Sequence, residues 1–286
     1  MAITIGSNIS SLQAQRRLAN SSEALNGTFL RLSSGQRINK ASDDAAGLAI
    51  ADSLKANIRV GQVAVRNAND GISSIAIADA SLADIGNVLS RLAELAEQSA
   101  NGTFSVTQRS ALQNEFVALG SEVERIAVTT EFNGVKLLSG NSTLTLQVGF
   151  NSASTSQISF NGVQGTLASL GLAQQDESAL SFSLNGVTLE EGASASRLAL
   201  DAVNRAVASL ASTRGVLGAA ESRLRVAISN LSISRENLSA AESRIRDVDV
   251  ATEAAELTRL NILQQAGASV LAQANQSPSL ALSLLR

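Results

Sequence analysis

The chain contains no cysteine and no histidine. Those two absences together remove thiolate nucleophiles, imidazole bases, the usual zinc ligand sets and the Ser-His-Asp triad. An enzyme built on this sequence would have only carboxylates, Lys, Arg and hydroxyls to work with. A chain without thiols also enters an oxidising exterior without mispairing. Tryptophan and tyrosine are missing too, so the 2% of aromatic residues are all Phe. Ala, Leu, Ile and Val dominate the 44% hydrophobic content, which suits slender helix-on-helix packing better than a thick globular core. Pro278 is the single proline, leaving almost nothing that would break a long helix by removing a backbone donor.

Charge excludes further classes. The net charge is −3 and the basic residues are scattered, so no nucleic-acid partner is expected. No stretch approaches the ~20 uninterrupted apolar residues of a membrane span, and no membrane insertion is expected. The N-terminus lacks a basic segment leading into an apolar core, so a cleaved general-secretory signal is not expected either. Three acidic pairs could suggest paired catalytic acids or a cation site. Asp43-Asp44 and Asp247 with Asp249 read as helix-start charges, favoured by the helix dipole, and Glu190-Glu191 reads as part of an exposed loop. Catalytic, cofactor and metal residues are therefore expected to be none.

What the chain does contain is heptad periodicity. Val203, Leu210, Leu217, Leu224, Leu231, Leu238 and Ile245 recur every seven residues, and the positions three further on are nearly all small: Ala206, Thr213, Ala220, Ala227, Ser234, Ala241 and Val248. Alternation of large and small predicts close approach of another helix along this stripe. A straight helix would drift off such a seam by about 20° per heptad, so left-handed supercoiling is expected.

Helical spacing begins early, at Ile5, Ile9 and Leu12, then Leu18, Leu25, Phe29 and Leu32, and a turn is expected at Ser33-Ser34-Gly35. A second helix is predicted from an N-cap at Ser42 to about Ala100, roughly 90 Å at ~1.5 Å per residue. Its seam reads Leu54, Gly61, Ala68, Ile75, Leu82 and Leu89, and Asn101-Gly102 ends it. A third helix carries Leu112, Phe116, Leu119, Val123 and Ile126. Alternation then takes over at Leu144, Leu146, Val148 and Phe150, followed by Ile158 and Phe160, which predicts a β-hairpin. A second hairpin is predicted across Leu180 to Leu189, with Asn185-Gly186 in a type I′ turn. The last helical region is predicted over 196–274 with a break near Asp247 to Asp249, and Pro278 is expected to set the closing residues apart. Ile5, Ile9, Leu12, Leu263 and Val270 lie on apolar stripes with no third element nearby in sequence, so they must meet the other terminus, a neighbouring molecule, or both.

Particular segments are recognisable. MAITIGSNISSLQAQRRL opens the chain, RLSSGQRINKASDDAAGLAIADSL spans 31–54, RIRDVDVATEAAELTRLNILQQAGASVLAQANQ spans 244–276, and LSLLR closes it, with QSANGT at 98–103 and FNGVKLL at 132–138 between. In these residues the chain resembles bacterial flagellin over roughly its first 140 and last 90 residues, with a much shorter middle than long-form members.

The resemblance implies a mainly α fold: a long antiparallel helical bundle or coiled-coil rod with paired N- and C-termini and a small β-hairpin insert. It implies a terminal filament-core domain from 1–44 and 246–286, a helical rod domain from 45–175 and 194–245, and a small surface insert at 176–193. The function implied is a structural subunit that self-assembles into the extracellular flagellar filament for motility after unfolded export through the flagellar type III apparatus. Implied partners are copies of itself, an export chaperone, the filament cap, hook-junction proteins and host innate immune receptors. Filament-core contacts would come from Ile5, Ile9, Leu12, Leu18, Leu25, Leu263, Val270, Leu284 and Leu285. Arg91, Leu95 and Glu115 match the family's innate-receptor surface. A hook–filament junction protein is the close alternative. A membrane-binding helical protein would want more Lys and Arg on its polar faces.

Overall fold

The computed structural model describes residues 7–140, 143–160, 163–175 and 177–284, with side chains as far as Gln276. The fold is mainly α, with helices α1 (Ile9–Ser34), α2 (Ala45–Ala100), α3 (Val106–Thr129), α4 (Leu189–Arg246) and α5 (Val250–Leu284). Between α3 and α4 stand two antiparallel hairpins, β1 (Glu131–Phe132) with β2 (Val135–Lys136), and β3 (Leu144–Gln147) with β4 (Gln157–Phe160). The second pairs Leu144 with Phe160 and Leu146 with Ile158, and its first strand ends at Gln147, short of Val148 and Phe150 in the alternating run.

Local chemistry sets the helix ends. Asn8 caps α1, its side chain accepting the Ser11 N–H at 3.0 Å, and Gly35 ends it in the left-handed region at φ 70°, where a side chain would be strained. The predicted cap at Ser42 is displaced by two residues. Asp44 performs that role, accepting the Gly47 N–H at 2.9 Å, while Asp43 gathers the N–H groups of Asn39 and Lys40 in the preceding loop. Ser105 and Gln108 form a capping box on α3.

Helix α4 starts seven residues earlier than its hydrophobic pattern indicates. Thr188 and Glu191 exchange side-chain bonds with each other's backbone N–H at 3.1–3.2 Å, a capping box that puts Glu190 and Glu191 in a helical first turn, not a loop. That box also removes the second predicted hairpin. The Asn-Gly turn that does form is Asn133-Gly134, with φ of 51° and 78°, between β1 and β2. The expected break after Arg246 is present, and Asp249 caps α5 through Ala251 and Thr252. Helix α5 runs through Pro278 rather than stopping there; proline removes one ladder bond but its fixed φ is helical.

The chain divides into two compact units. The central unit, residues 59–235, has one continuous hydrophobic core drawn from α2, α3, α4 and the intervening hairpins. Val203, Leu210, Leu217 and Leu224 of the α4 seam are buried there with Ile75, Leu82 and Leu89 of α2 and Phe116 and Val123 of α3. Close fits along α4 come from both helices, since its small seam residues Ala206 and Ala220 are buried in the core. Leucines of α4 stand over glycines of α2: a Cβ on Gly86 would lie 3.2 Å from Leu210 Cδ2, and one on Gly71 would lie 3.3 Å from Leu224 Cδ1. Bidentate pairing of Arg214 with Asp79 at 2.7 and 3.0 Å fixes the same antiparallel register at the solvent edge.

One helix among the described residues, α2, is long and apolar enough to cross a membrane by length and composition. Its apolar stripe from Ala68 to Ala96 is occupied by the core.

Candidate self-association surface

The terminal unit, residues 1–58 with 236–286, is organised differently. Helices α1 and α5 run antiparallel and approach backbone to backbone. Small and polar residues lie between them together with leucines, Leu260 being buried. Ser11, Ala14 and Thr28 are buried, and Gly267 sits where a Cβ would touch Leu18 Cδ1 at 3.4 Å. Hydrogen bonds tie the pair along its length: Asn8 Nδ2 donates to the Ala274 carbonyl at 2.8 Å, Ser11 Oγ pairs with Asn275 Oδ1 at 2.7 Å, and Gln264 Nε2 donates to Ser22 Oγ at 3.2 Å. Arg31 closes the far end with a 2.7 Å ion pair to Glu253, whose side chain is mostly buried.

A two-stranded clasp joins the loops of this unit. Gln36 bridges Asp247 in antiparallel fashion, with Arg37 N–H donating to the Arg246 carbonyl at 2.6 Å and Val248 N–H to the Gly35 carbonyl at 3.0 Å. Asp249 is held below its ordinary pKa, first by the Thr252 hydroxyl and then by the Thr252 and Ala251 N–H groups. Asp43 is lowered by the N–H groups of Lys40 and Asn39. Asp249 is thereby accounted for as a helix cap and Asp43 as an acceptor for backbone donors of the loop before α2.

Leu260 is buried in this unit and Leu18, Leu25, Leu257 and Leu271 are half-buried, while other large apolar residues point away into solvent. Ile9, Leu12, Phe29 and Leu30 on α1 are exposed, Leu12 by 62%, and so are Val250, Ile262, Leu263 and Val270 on α5, Ile262 by 61%. A pair of helices with this much aliphatic surface in water has an unfinished core. Each such side chain contributes about 1.5–3 kcal/mol when fully buried.

The residues singled out in the sequence fall into three groups. Ile9, Leu12, Leu263 and Val270 lie on the exposed apolar surface, while Leu18 and Leu25 are half-buried within the unit. Ile5 and Leu285 lie outside the described residues, as does the side chain of Leu284. Arg91 and Glu115 are exposed on the central unit and bonded to each other at 2.9 Å, with Glu94 taking a second guanidinium nitrogen at 2.8 Å. Glu94 and Glu115 accordingly raise the Arg91 pKa. Leu95 is placed apart from them, buried to 1% exposure in the central core. Its position was readable, three residues beyond Leu92 on the buried face. Sequence reasoning did not single out Leu30, Ile50, Val250 or Ile262 as surface residues. Ile262 beside Leu263 was a signal, since two adjacent large aliphatics on one helix cannot both face one partner.

Among the described residues no group of three or more acidic side chains is arranged to hold a metal ion. The most deeply buried charge, Arg109, is saturated by carbonyls of Ser99, Asn101 and Leu189 at 2.5–3.1 Å and joins the end of α2 to the start of α4. This guanidinium is a clamp.

Known proteins match this organisation. Residues 5–143 fit the bacterial flagellin N-terminal helical region, and residues 200–285 fit the bacterial flagellin C-terminal helical region. A flagellin of Halalkalibacterium halodurans is 42% identical over 283 residues, covering 99% of both chains, and one of Bacillus subtilis is 41% identical over 304 residues with the same coverage. The flagellar filament 33 kDa core protein of Treponema phagedenis is 36% identical over 289 residues, again covering 99% of each. With a matched region at each end, full-length relatives and paired terminal helices, the chain belongs to the bacterial flagellin family.

Proposed function

We propose that this protein is the structural subunit of an extracellular flagellar filament, and that the apolar surface of the α1–α5 pair is what neighbouring copies bury. The observation that carries this reading is the exposed aliphatic surface of the terminal unit, where Leu12, Ile262, Leu263 and Val270 face outward from a helix pair tied by polar side chains and a few leucines. Segments 1–44 and 246–286 serve as the filament-core domain, 45–175 with 194–245 as the helical part outside it, and 176–193 as a small surface insert. The role is structural; no catalysis is assigned. Export in an unfolded state fits a chain with no disulfide and a terminal unit that lacks a closed core. The exposed stripe of α5 also suits a flagellar export chaperone that covers it before secretion, and the cap and hook-junction proteins would meet the same termini at filament ends. Arg91 and Glu115 form the exposed part of a surface open to host innate receptors, with Leu95 beneath it.

Purified monomer added to sheared filament seeds tests the proposal. Long filaments visible by electron microscopy support it and disfavour a junction protein, whereas monomer that adds only a short terminal layer rejects it. Leu12→Asp with Leu263→Asp should abolish growth while leaving the helical content of the monomer in place.

A further inference from the structure

Asparagine followed by glycine is chemically labile, because the glycine nitrogen carries no neighbouring Cβ and attacks the asparagine Cγ when the backbone can bend one onto the other. Attack forms the N–Cγ bond of a succinimide and expels ammonia; water then opens the ring to aspartate or isoaspartate. The chain has five such pairs, at Asn26, Asn101, Asn133, Asn161 and Asn185, of which Asn161-Gly162 lies outside the described residues. The asparagines of the other four are all exposed, so solvent access does not separate them. Backbone geometry does.

Asn26-Gly27 lies inside α1, where the glycine N–H belongs to the helical ladder and the helix must open before the ring can close. Asn133-Gly134 is fixed in left-handed geometry between paired strands. Asn101 is held at both ends: its side-chain oxygen accepts the Thr103 N–H at 3.2 Å, and its carbonyl accepts Phe104 N–H at 3.3 Å and the buried Arg109 guanidinium at 3.1 Å. Asn185 differs on each count. It lies in a stretch with neither helix nor strand, and among the described residues its carboxamide makes no hydrogen bond and the Gly186 N–H has no acceptor. The nucleophile and its target carbon are both uncommitted.

We infer that Asn185 is a site of spontaneous deamidation in the folded monomer, modified ahead of Asn26, Asn101 and Asn133. The consequence is local. Gly186 packs so closely on the first turn of α4 that a Cβ would lie 2.3 Å from the Gly192 nitrogen, and Gly192 in turn stands against Arg109. Isoaspartate adds one methylene to the backbone at this point and pushes Gly186 off that turn, while either product sets a new carboxylate beside Glu190 and Glu191.

Native monomer and urea-unfolded monomer are incubated in parallel at mildly alkaline pH, and conversion at each asparagine is followed by fragment-resolved mass spectrometry. The native protein should convert Asn185 at least about tenfold faster than Asn26, Asn101 or Asn133, the difference that ~1.4 kcal/mol of local opening free energy imposes. In urea the four rates should converge. Native conversion of any of the three others as fast as Asn185, or an Asn185 slowed by folding as strongly as they are, overturns the inference.

Discussion

The two units distribute the same residue types differently. In the central unit, leucines of α4 stand over glycines of α2, Phe116 and Val123 close the third side, and the core is continuous. In the terminal unit, Ser11, Ala14, Thr28 and Gly267 share the space between helices with buried Leu260 and half-buried Leu18 and Leu25, and Leu12, Ile262, Leu263 and Val270 face outward. Hydrophobic content therefore does not distinguish the two units; the extent of the continuous buried core does. The central unit has its stabilising burial within one chain, and the proposed function has the terminal unit gain further burial from other chains.

The largest expected effect breaks this comparison at the assembling side. Removing residues 247–286 deletes α5, and with it half of the exposed surface. Polymer growth and binding of the export chaperone should be lost completely, while the central unit still melts cooperatively. Long filaments from this truncation would show that the surface is dispensable. The next effect is on the folding side: Phe116→Ala, at a fully buried position, should lower monomer stability by about 3–5 kcal/mol in denaturant titration.

Overpacking sharpens the distinction further. Ala220→Leu at a buried seam position should destabilise the monomer by about 1–3 kcal/mol, whereas Ser222→Leu, two residues away and exposed, should change the monomer by less than about 0.5 kcal/mol. Equal melting of the two variants would mean that the seam is not a packed contact. Smallest is Asp79→Asn. Arg214 lowers the Asp79 pKa chiefly by hydrogen bonding, so the pair stabilises the fold above the ordinary carboxylate pKa of about 4 and loses that contribution as pH falls through the lowered value. Both side chains are more than a third exposed, which limits the difference to under about 1 kcal/mol at neutral pH, and wild type and variant should converge in acid. A gap that persists at low pH would assign the effect to packing.

Much of this was legible in the chain because heptad spacing is a local signal repeated many times. The α4 seam, the C-terminal ends of α1 and α2, the Leu144–Phe160 hairpin and the break after Arg246 all follow from it or from nearby turn residues. The errors arose where two local signals competed. Asn185-Gly186 and Asn133-Gly134 offer the same turn chemistry, but only the second is flanked by residues free to pair, since Thr188 and Glu191 commit the segment after Gly186 to a helix. The Arg109 clamp could not be read at all, because its three acceptors are backbone carbonyls as far apart in the chain as Ser99 and Leu189 and leave no trace in side-chain pattern. Among the proposed assembly residues the stripe was visible, but its separation from Leu18 and Leu25 required knowing that Gly267 and Gln264 lie on the side of α5 that meets α1.

Amide hydrogen exchange, measured segment by segment on monomer and on polymer, tests the central claim most directly. Polymerisation should slow exchange strongly in 9–34 and 250–276 while leaving the buried segments of 68–96 and 199–224 nearly unchanged. Equal protection of the terminal helices in both states, or a gain in protection confined to the central unit, would contradict the assignment of assembly to the α1–α5 surface.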